Sequence, residues 1–205
     1  MSDIATRRKW DRAAHSFDLM TGIGPDKRWE PAKRALFGRM GQGEILFLAI
    51  GTGLDIPFFP PGRRILGIDI SPKMIAAAAP RVAAYRGELR AQVMDVHELD
   101  LPDRSIDQVF TSCTFCSVPR PVEGLRQLYR VLKPGGELHM FEHTGSRLFP
   151  FGLMLHAMTP ISRRVGPDMN RVTTANVGRA GFQLDRVQPV FLDVVKTISA
   201  HRPQD

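Results

Sequence analysis

The amino-acid sequence predicts an α/β fold with a doubly wound, mostly parallel sheet. Short apolar segments alternate along most of the chain with segments of helical periodicity, an order typical of parallel strands joined by right-handed helical crossovers. The first apolar segment runs into the turn Gly51-Thr52-Gly53, as strands that lead to a nucleotide-like ligand often do. With 205 residues, 43% of them hydrophobic, the chain can bury the core of one such domain.

Three strands and one helix form the first half of the predicted sheet. Residues 44–50 are short, continuous and apolar, which indicates a buried strand. Residues 64–69 form a second strand that ends in an acid, and Ser71 and Pro72 then provide the N-cap and first-turn proline of a helix that continues to residue 79. Residues 90–94 fit a third strand. This order predicts a beginning in which a strand and its loop are followed by a second strand, a helix and a third strand.

The second half contains one more helix and the remaining strands. Residues 106–112 fit a fourth strand, and residues 121–132 have helical spacing of their apolar side chains. Pro134-Gly135-Gly136 ends that helix, residues 137–142 follow as the fifth strand, and residues 182–200 contain enough β-branched side chains for two late strands. The complete prediction is a Rossmann-like sheet of seven strands, mostly parallel, with an antiparallel strand near the C-terminus.

The net charge of +7 is concentrated in two segments of this single domain. Residues 1–40 hold nine Lys or Arg against five acids, and residues 143–175 hold four against one. The predicted ligand-binding core, residues 41–142, and the late strands, residues 176–205, are close to neutral. A neutral core with two basic attachments favours an anionic partner, either nucleic acid or an acidic membrane surface.

Both basic segments also contain an amphipathic stretch. Near the N-terminus, Trp10, Ala13, Ala14, Phe17 and Met20 recur at steps of three and four, typical of a helix that packs on the core or acts as a lid or interfacial helix. Residues 148–158 are apolar but too short for the roughly 20 helical residues of a membrane span. With Arg163 and Arg164 behind them, they fit a segment that lies in a lipid interface.

The termini and cysteines favour a cytosolic protein. The first twenty residues contain five charges from Arg7 to Arg12 and no uninterrupted apolar stretch, so they predict neither a secretory signal nor a membrane span. Cys113 and Cys116 have no second pair beside them, which favours small side chains at a strand end over zinc or redox chemistry.

Two kinds of cofactor agree with the glycine turn. In a nicotinamide-dependent oxidoreductase, Gly51 and Gly53 would receive a pyrophosphate and Asp69 would bind a ribose hydroxyl. Asp55, however, replaces the third glycine of that fingerprint, and Asp95 adds an acid after the third strand. S-adenosylmethionine has no phosphates and needs a close backbone approach, an acid for the ribose and a polar group for the adenine. The order and spacing of these residues favour S-adenosylmethionine.

Four stretches that cover most of the chain resemble the successive motifs of class I S-adenosylmethionine-dependent methyltransferases: IGTGLDIPFFP, GIDISPKMI, VMDVHELDLPDRSIDQVFTS and YRVLKPGGELHMFEH. Within this superfamily, IPFFP, CSVPRP and FEH are most similar to the small bacterial phosphatidylethanolamine N-methyltransferases of the Rhodobacter type. Quinone-biosynthesis C-methyltransferases, amino-sugar N-methyltransferases and membrane-associated thiol methyltransferases share much of the same skeleton.

The resemblance implies a set of nine cofactor-binding residues: Gly51, Thr52, Gly53, Asp69, Ile70, Met74, Asp95, Val96 and Ser112. It implies that Asp69 accepts from both ribose hydroxyls and that Asp95 accepts from the adenine amino group. Two positions depart from the pattern. Ala49 stands where relatives often have an acid for the amino end of the cofactor, and Trp10 and Phe17 stand where relatives often have a pair containing tyrosine.

The resemblance also implies an acceptor site. His143 is the expected general base for an amine, because the unperturbed pKa of histidine is about 6.5, and Glu142 is expected to orient it or to pair with a helix N-terminus. Trp10 and Phe17 would stabilise a methylated ammonium by cation-π attraction. Arg147, Arg163 and Arg164 would contact lipid phosphate. Each of these side chains also has a plain structural interpretation.

The implied function is methyl transfer from S-adenosylmethionine to the amine of phosphatidylethanolamine and its methylated intermediates, leading to phosphatidylcholine. The alternatives are a methyltransferase for a thiol, a quinone precursor or another small apolar acceptor, and a nicotinamide-dependent oxidoreductase or inactive lipid-binding module. We expect a cytoplasmic monomer associated peripherally with the inner face of the cell membrane. Nucleic acid is disfavoured as a substrate, because Ser112-Cys113-Thr114-Phe115 stands where an Asn-Pro-Pro-Tyr motif would follow strand four.

Overall fold

A computed structural model of the chain describes residues 3–21, 25–146, 148–165, 168 and 170–204. Seven strands occur in these ranges: β1 Glu44–Leu48, β2 Arg64–Asp69, β3 Glu88–Val93, β4 Ile106–Ser112, β5 Leu132–His143, β6 Gln183–Phe191 and β7 Val195–His201. They form one sheet in the order β3-β2-β1-β4-β5-β7-β6. Strands β1 to β5 are parallel, and β7 is antiparallel to both of its neighbours. The predicted fold class is confirmed.

The described ranges contain seven α-helices: α1 Asp3–Ala13, α2 Phe17–Thr21, α3 Pro25–Phe37, α4 Pro72–Ala83, α5 Pro121–Val131, α6 Phe151–Val165 and α7 Thr173–Arg179. Helix α4 begins as the sequence predicts, since the Ser71 hydroxyl accepts a hydrogen bond from the Met74 backbone N–H at 3.1 Å and Pro72 occupies the first turn. Within the described ranges, none of the helices combines the length and the apolar composition that a membrane span requires.

Both faces of the sheet are buried by helices. Leu46 and Leu48 of β1 belong to the hydrophobic cluster that contains helix α5, whereas Ile45 and Phe47 belong to the cluster that contains helix α3. Alternate residues of a strand point to opposite faces, so these two clusters are the two cores of an α/β/α arrangement. In the second core Phe37 has edge-to-face contacts with three other phenylalanines: Phe47, Phe59 and Phe110.

Three strand boundaries differ from the sequence prediction. Strand β1 ends at Leu48, because Ala49 turns out of the sheet with a φ of 56°. Strand β3 begins two residues earlier, at Glu88. Strand β5 begins at Leu132 and includes Pro134-Gly135-Gly136, because the backbones of Gly135 and Gly136 exchange two hydrogen bonds of 2.9 Å with Arg202. The pairing with β4 shifts register at this point, so the prolyl-glycine segment forms an irregularity inside a longer strand.

Helices α1 and α2 confirm the predicted helical N-terminus, although a turn at residues 14–16 divides it. Trp10 lies on α1 and Phe17 is the first residue of α2. Helix α1 packs against α4, which follows the carboxyl end of β2. The N-terminal helices therefore lie at the carboxyl edge of the parallel strands, where open α/β sheets bind ligands.

Candidate active site

A cavity of about 640 Å³ opens at the carboxyl edge of the sheet. Loops after β1, β2, β3 and β4, the end of β5 and the helices α1 and α2 all contribute to its wall, which is mostly apolar. Seven of the nine residues predicted for the cofactor line it: Gly51, Asp69, Ile70, Met74, Asp95, Val96 and Ser112. Trp10, Phe17 and His143, predicted for the acceptor, line the same cavity. The structure thus brings most of the predicted site together, and the role of each residue stays a prediction.

The glycine turn faces the cavity with one residue. Gly51 lines the cavity with a φ of 57°, and a Cβ atom there would meet no side chain closer than Phe17, at 4.0 Å. Gly53 also has a positive φ, of 85°, but a Cβ atom there would come within 2.8 Å of Ile56. Thr52 is buried and its hydroxyl donates to Asp18 at 2.5 Å. Thr52 and Gly53 therefore shape the turn from the side that faces away from the cavity. Contrary to the prediction, neither of them lines the cavity.

Ala49 lies beyond β1 and lines the cavity, with a left-handed backbone like those of Gly51 and Gly53. Its place at the position where relatives often have an acid stays a prediction. Left-handed φ values therefore occur at three alternate residues of the loop. Ala49 occupies a place that suits glycine, because a Cβ atom is strained at this φ.

Asp69 is held ready to accept hydrogen bonds from a ligand. It ends β2 and is only 6% exposed, yet it lines the cavity. Its two carboxylate oxygens accept from the backbone N–H groups of Gly51 at 3.0 Å and Ser71 at 2.9 Å. Burial raises the pKa of Asp69 to about 6, against the effect of these two bonds. Each oxygen keeps lone-pair capacity for a second donor, which suits a vicinal diol.

Asp95 follows β3 and lies on the same cavity. One of its oxygens accepts from the His97 backbone N–H at 2.9 Å and lies 2.8 Å from the His97 Nδ1 atom. Apolar side chains of Ile70, Met74 and Val96 line the cavity as well. His97 was not predicted from the sequence. It stands two residues after the acid in the VMDVHEL stretch, a spacing that allows its side chain to hold the carboxylate in place.

The lining fits S-adenosylmethionine better than a dinucleotide. Among the described residues that line the cavity there are two carboxylates and neither Lys nor Arg. A pyrophosphate is usually held by cationic side chains or by a row of N–H groups at a helix N-terminus, whereas ribose hydroxyls and an adenine amino group are donors that carboxylates accept from. Asp69 and Asp95 would hold those donors, and Gly51 would allow the cofactor to approach the backbone closely.

His143 is the last residue of β5 and one of two histidines, with His97, among the described residues that line the cavity. Its Nδ1 atom is buried without a hydrogen-bond partner, so Nε2 is the ring atom left for a bound molecule. Burial lowers the pKa of His143, which favours the neutral imidazole at physiological pH. A neutral imidazole can accept a proton, so the geometry agrees with the predicted base.

Glu142 has a different task from the one expected. It is fully buried, and its carboxylate accepts from the Thr111 hydroxyl at 2.9 Å and from the backbone N–H groups of Thr114 and Phe115. Adjacent strand residues point to opposite faces, so Glu142 points away from His143. Burial raises the pKa of Glu142 to about 7 against the effect of these bonds. Glu142 anchors the loop after β4, part of which lines the cavity.

Two of the residues predicted to contact the acceptor are aromatic. The rings of Trp10 and Phe17 meet edge to face with centroids 6.2 Å apart. The Lys9 ammonium lies 5.5 Å from the centroid of the Trp10 ring, so a cation of the chain itself already makes a cation-π contact with that ring in this structure. Thr6 also lines the cavity and was missed, although it stands one helical turn before Trp10.

The remaining predicted residues fall into two groups. Arg147 lies outside the described residues, and Arg163 and Arg164 lie in α6 at positions whose side chains are also outside them. Cys113 and Cys116 form no disulfide, and both line the cavity. Burial raises the pKa of Cys116 well above its usual range, so this thiol is not an activated nucleophile.

Comparison with known proteins agrees with this site. The profile of the methyltransferase domain family matches residues 46–140. The chain is 32% identical over 143 residues to a ubiquinone/menaquinone biosynthesis C-methyltransferase of Syntrophotalea carbinolica. The aligned region covers 67% of the chain and 60% of that protein. It is 30% identical over 194 residues to a thiol S-methyltransferase of Homo sapiens, covering 83% of the chain and 78% of that protein. The chain belongs to the S-adenosylmethionine-dependent methyltransferase family, which confirms the predicted cofactor.

A relative with a lipid substrate in its name is also similar. The chain is 29% identical over 126 residues to a phosphatidylethanolamine N-methyltransferase of Cereibacter sphaeroides, covering 60% of the chain and 62% of that protein. A solved geranyl diphosphate C-methyltransferase of Streptomyces coelicolor, bound to S-adenosyl-L-homocysteine, shares the fold with a TM-score of 0.70, at 13% identity over 86% of this chain and 80% of that one. The matches to the C-methyltransferase of Syntrophotalea carbinolica and to a demethylmenaquinone methyltransferase of Symbiobacterium thermophilum span 60% and 65% of the length of those proteins.

Proposed function

We propose that this chain transfers methyl groups from S-adenosylmethionine to the amine of phosphatidylethanolamine and its methylated intermediates, leading to phosphatidylcholine. The observation that carries the proposal is the composition of one cavity. Its wall combines two carboxylates suited to the cofactor, Asp69 and Asp95, with the His143 imidazole, whose lowered pKa favours the neutral form, and the aromatic rings of Trp10 and Phe17. The similarity to a phosphatidylethanolamine N-methyltransferase supports the same acceptor.

The proposed chemistry needs a base and an enclosed site. The cofactor supplies a methyl group on a sulfonium sulfur, and in the transfer the carbon–sulfur bond breaks as the carbon–nitrogen bond forms. The acceptor amine must first lose a proton, and His143 Nε2 takes that proton and returns it to solvent. The apolar wall keeps water away and holds the amine in line with the methyl group. No covalent intermediate with the chain is required.

Successive methylation produces a quaternary ammonium, which cannot donate a hydrogen bond. Aromatic faces and apolar walls are the surroundings that hold such a cation. Phe17 and Trp10 supply two aromatic rings on the acceptor side of the cavity. These rings support an amine that becomes more apolar with each methyl group better than they support an acceptor that needs directional hydrogen bonds.

We further propose an anionic membrane surface, on the inner face of the cell membrane, as the source of the lipid. Large apolar side chains are exposed on both segments that carry the net positive charge: Ile4 at 64%, Leu19 at 67%, Phe149 at 87% and Leu153 at 67%. The first two lie on the helices that supply Trp10 and Phe17, and the others follow His143 along the chain. Exposed apolar side chains among basic residues match a surface of acidic lipids.

The decisive experiment is methyl transfer from labelled S-adenosylmethionine to vesicles containing phosphatidylethanolamine. We expect labelled mono-, di- and trimethylated lipid from the wild-type chain. His143→Gln is expected to reduce kcat by about 100-fold through loss of the base, with the affinity for S-adenosylhomocysteine nearly unchanged. The matched control is His201→Gln, which removes an imidazole on β7 that is paired with Asp185 of β6. This variant should retain activity. Tight binding of S-adenosylhomocysteine without label in any lipid would contradict the proposal.

The second candidate function is methylation of a thiol, a quinone precursor or another small apolar acceptor. It is favoured by the S- and C-methyltransferases among the relatives, at 30 and 32% identity. A thiol and a demethylated quinone precursor should therefore be assayed beside the vesicles. Label in these acceptors and none in lipid would establish this function in place of the first.

A further inference from the structure

Two neighbouring residues of helix α2 face different parts of the site. Phe17 lines the cavity, where its ring lies 4.0 Å from the position of a Cβ atom at Gly51 and is proposed to contact the acceptor. Asp18 is absent from the lining and binds the glycine turn from behind, where its two carboxylate oxygens accept from the Thr52 hydroxyl at 2.5 Å and from Arg81 Nη2 at 2.7 Å. One short helix therefore contacts the cofactor loop and the acceptor wall at once.

Thr52 is enclosed by the Asp18–Arg81 ion pair. Arg81, on α4, donates a hydrogen bond from its other terminal nitrogen, Nη1, to the Thr52 carbonyl at 2.8 Å. The hydroxyl and the carbonyl of Thr52 are thus both bound by the same pair, and the residue is only 1% exposed. Since Thr52 lies between Gly51 and Gly53, this pair fixes the peptide groups of the turn that approaches the cofactor.

A similar contact joins helix α1 to the loop after β2. The Ser71 hydroxyl donates to Asp11 at 2.6 Å, and the Ser71 backbone N–H donates to Asp69 at 2.9 Å. Asp11 therefore reaches the second cofactor loop through Ser71 just as Asp18 reaches the first through Thr52. Neither acid lines the cavity, and both come from the helices that carry Thr6, Trp10 and Phe17.

We propose that Asp18 is a positioning residue that couples the glycine turn to the acceptor wall. It holds Thr52 against Arg81 and, through its own helix, holds Phe17 over the cavity. Bound cofactor and docked N-terminal helices then stabilise one another, because each favours the same conformation of the turn. The cofactor half of this proposal rests on family membership, and the acceptor half rests on the proposed function.

The Asp18 carboxylate, which binds Thr52 and Arg81, is charged under physiological conditions. Partial burial acts to raise the pKa of Asp18, but the hydrogen bonds from Thr52 and Arg81 and the charge of Arg81 outweigh it and lower the pKa below its usual value. The carboxylate therefore accepts both bonds across the neutral range. Asp18→Asn removes the charge and one acceptor oxygen while keeping the size of the side chain.

The main test is the dissociation rate of S-adenosylhomocysteine, measured by stopped-flow fluorescence of Trp10 and Trp29. Asp18→Asn is expected to accelerate dissociation about five- to tenfold, since a partly exposed ion pair and one buried hydroxyl contact are lost. Asp18→Glu, which keeps the carboxylate, should restore part of the slow rate. The matched control is Asp103→Asn, which breaks another aspartate–arginine pair, with Arg130, away from the cavity; it should leave the rate unchanged.

A double-mutant cycle assigns the effect to the turn. Thr52→Val removes the hydroxyl that donates to Asp18. If Asp18 acts through Thr52, the effects of Asp18→Asn and Thr52→Val on dissociation are not additive. Full additivity, or a dissociation rate in Asp18→Asn equal to wild type, would overturn the proposal.

Hydrogen exchange gives a readout on the unaltered chain. We expect S-adenosylhomocysteine to increase the protection of residues 3–21 in the wild type and to do so much less in Asp18→Asn. No gain in protection in the wild type would overturn the coupling even if the variant failed to fold. These measurements need no acceptor, so they remain interpretable if no lipid is methylated and the proposed function fails.

Discussion

Ala49 is one of four described non-glycine residues whose backbone has a positive φ. An alanine at a φ of 56° stores strain of about 1 kcal/mol, which glycine avoids. Ala49→Gly is therefore expected to stabilise the fold by about 1 kcal/mol and to raise Tm by about 2 to 4 °C in a chain of this size. Thermal unfolding followed by circular dichroism measures the shift.

The control for Ala49→Gly is a glycine in a regular helix. Ala77 is exposed in the middle of α4, where glycine is unfavourable by about 1 kcal/mol. Ala77→Gly should lower Tm while Ala49→Gly raises it. Two shifts in the same downward direction would show that the left-handed backbone at Ala49 carries no strain.

Glu142 makes the stability of the chain depend on pH. Its pKa rises from 4.5 to about 7 in the fold, so the folded state binds this proton more tightly than the unfolded state does. The stabilisation due to the proton is complete below pH 4.5 and is lost as the pH rises through 7, a change on the order of 3 kcal/mol. In Glu142→Gln this part of the pH dependence should disappear.

Urea unfolding between pH 4.5 and 8 tests the prediction for Glu142. The quantity to compare is the slope of the unfolding free energy against pH, because the amide also changes the hydrogen bonds to Thr114 and Phe115 and so shifts the absolute value. Glu123→Gln, at an exposed site in α5, should keep the wild-type slope. An equal slope in Glu142→Gln and wild type would assign the pH dependence to other groups.

At the scale of elements, the stretch that leads into α6 is the most exposed apolar part of the described chain. Phe149 and Leu153 are 87% and 67% exposed. If this stretch docks on lipid, Phe149→Ser combined with Leu153→Ser should reduce binding to vesicles of anionic lipid by about tenfold or more, because each side chain loses about 1.5 to 3 kcal/mol of burial. Vesicle co-sedimentation at fixed salt gives the binding constant.

A matched pair of exposed apolar residues lies on the edge strand β6. Leu184 and Val187 are 40% and 42% exposed, and neither of them lines the cavity. Leu184→Ser combined with Val187→Ser should leave vesicle binding unchanged. If both double variants lose binding equally, the apolar side chains act through general surface hydrophobicity, and α6 is not a specific docking element.

At the scale of the whole molecule, the mostly parallel seven-stranded sheet and the positions of the acids predicted for the cofactor followed from local sequence. Asp69 ends β2 and Asp95 follows the last residue of β3 by two positions, so their location at one edge follows from the parallel pairing of β2 and β3. Pro134-Gly135-Gly136 misled the prediction, because the hydrogen bonds that keep it in β5 come from Arg202, at the far end of the chain. Local patterns cannot report such a partner.

The same limit applies to the site. The sequence predicts that Thr52 and Gly53 contact the ligand. In the structure the Thr52 hydroxyl bonds to Asp18 and Ile56 fills the space beside Gly53, and only the tertiary structure brings these partners together. Glu142 and His143 are adjacent in sequence and separated by the pleat of the strand. Conversely, Thr6 and the acids of the N-terminal helices gained a place near the cofactor through packing between elements far apart in the chain.

The location of Thr6, Trp10 and Phe17 has a consequence for how this enzyme family could change its acceptors. These residues precede position 46, where the match to the family begins, while Asp69 and Asp95 lie within it. Recombination within the first forty residues would exchange one wall of the cavity and leave the cofactor machinery intact. Acceptor choice and cofactor use would then be inherited separately, provided that an incoming N-terminus carried carboxylates able to reach Thr52 and Ser71.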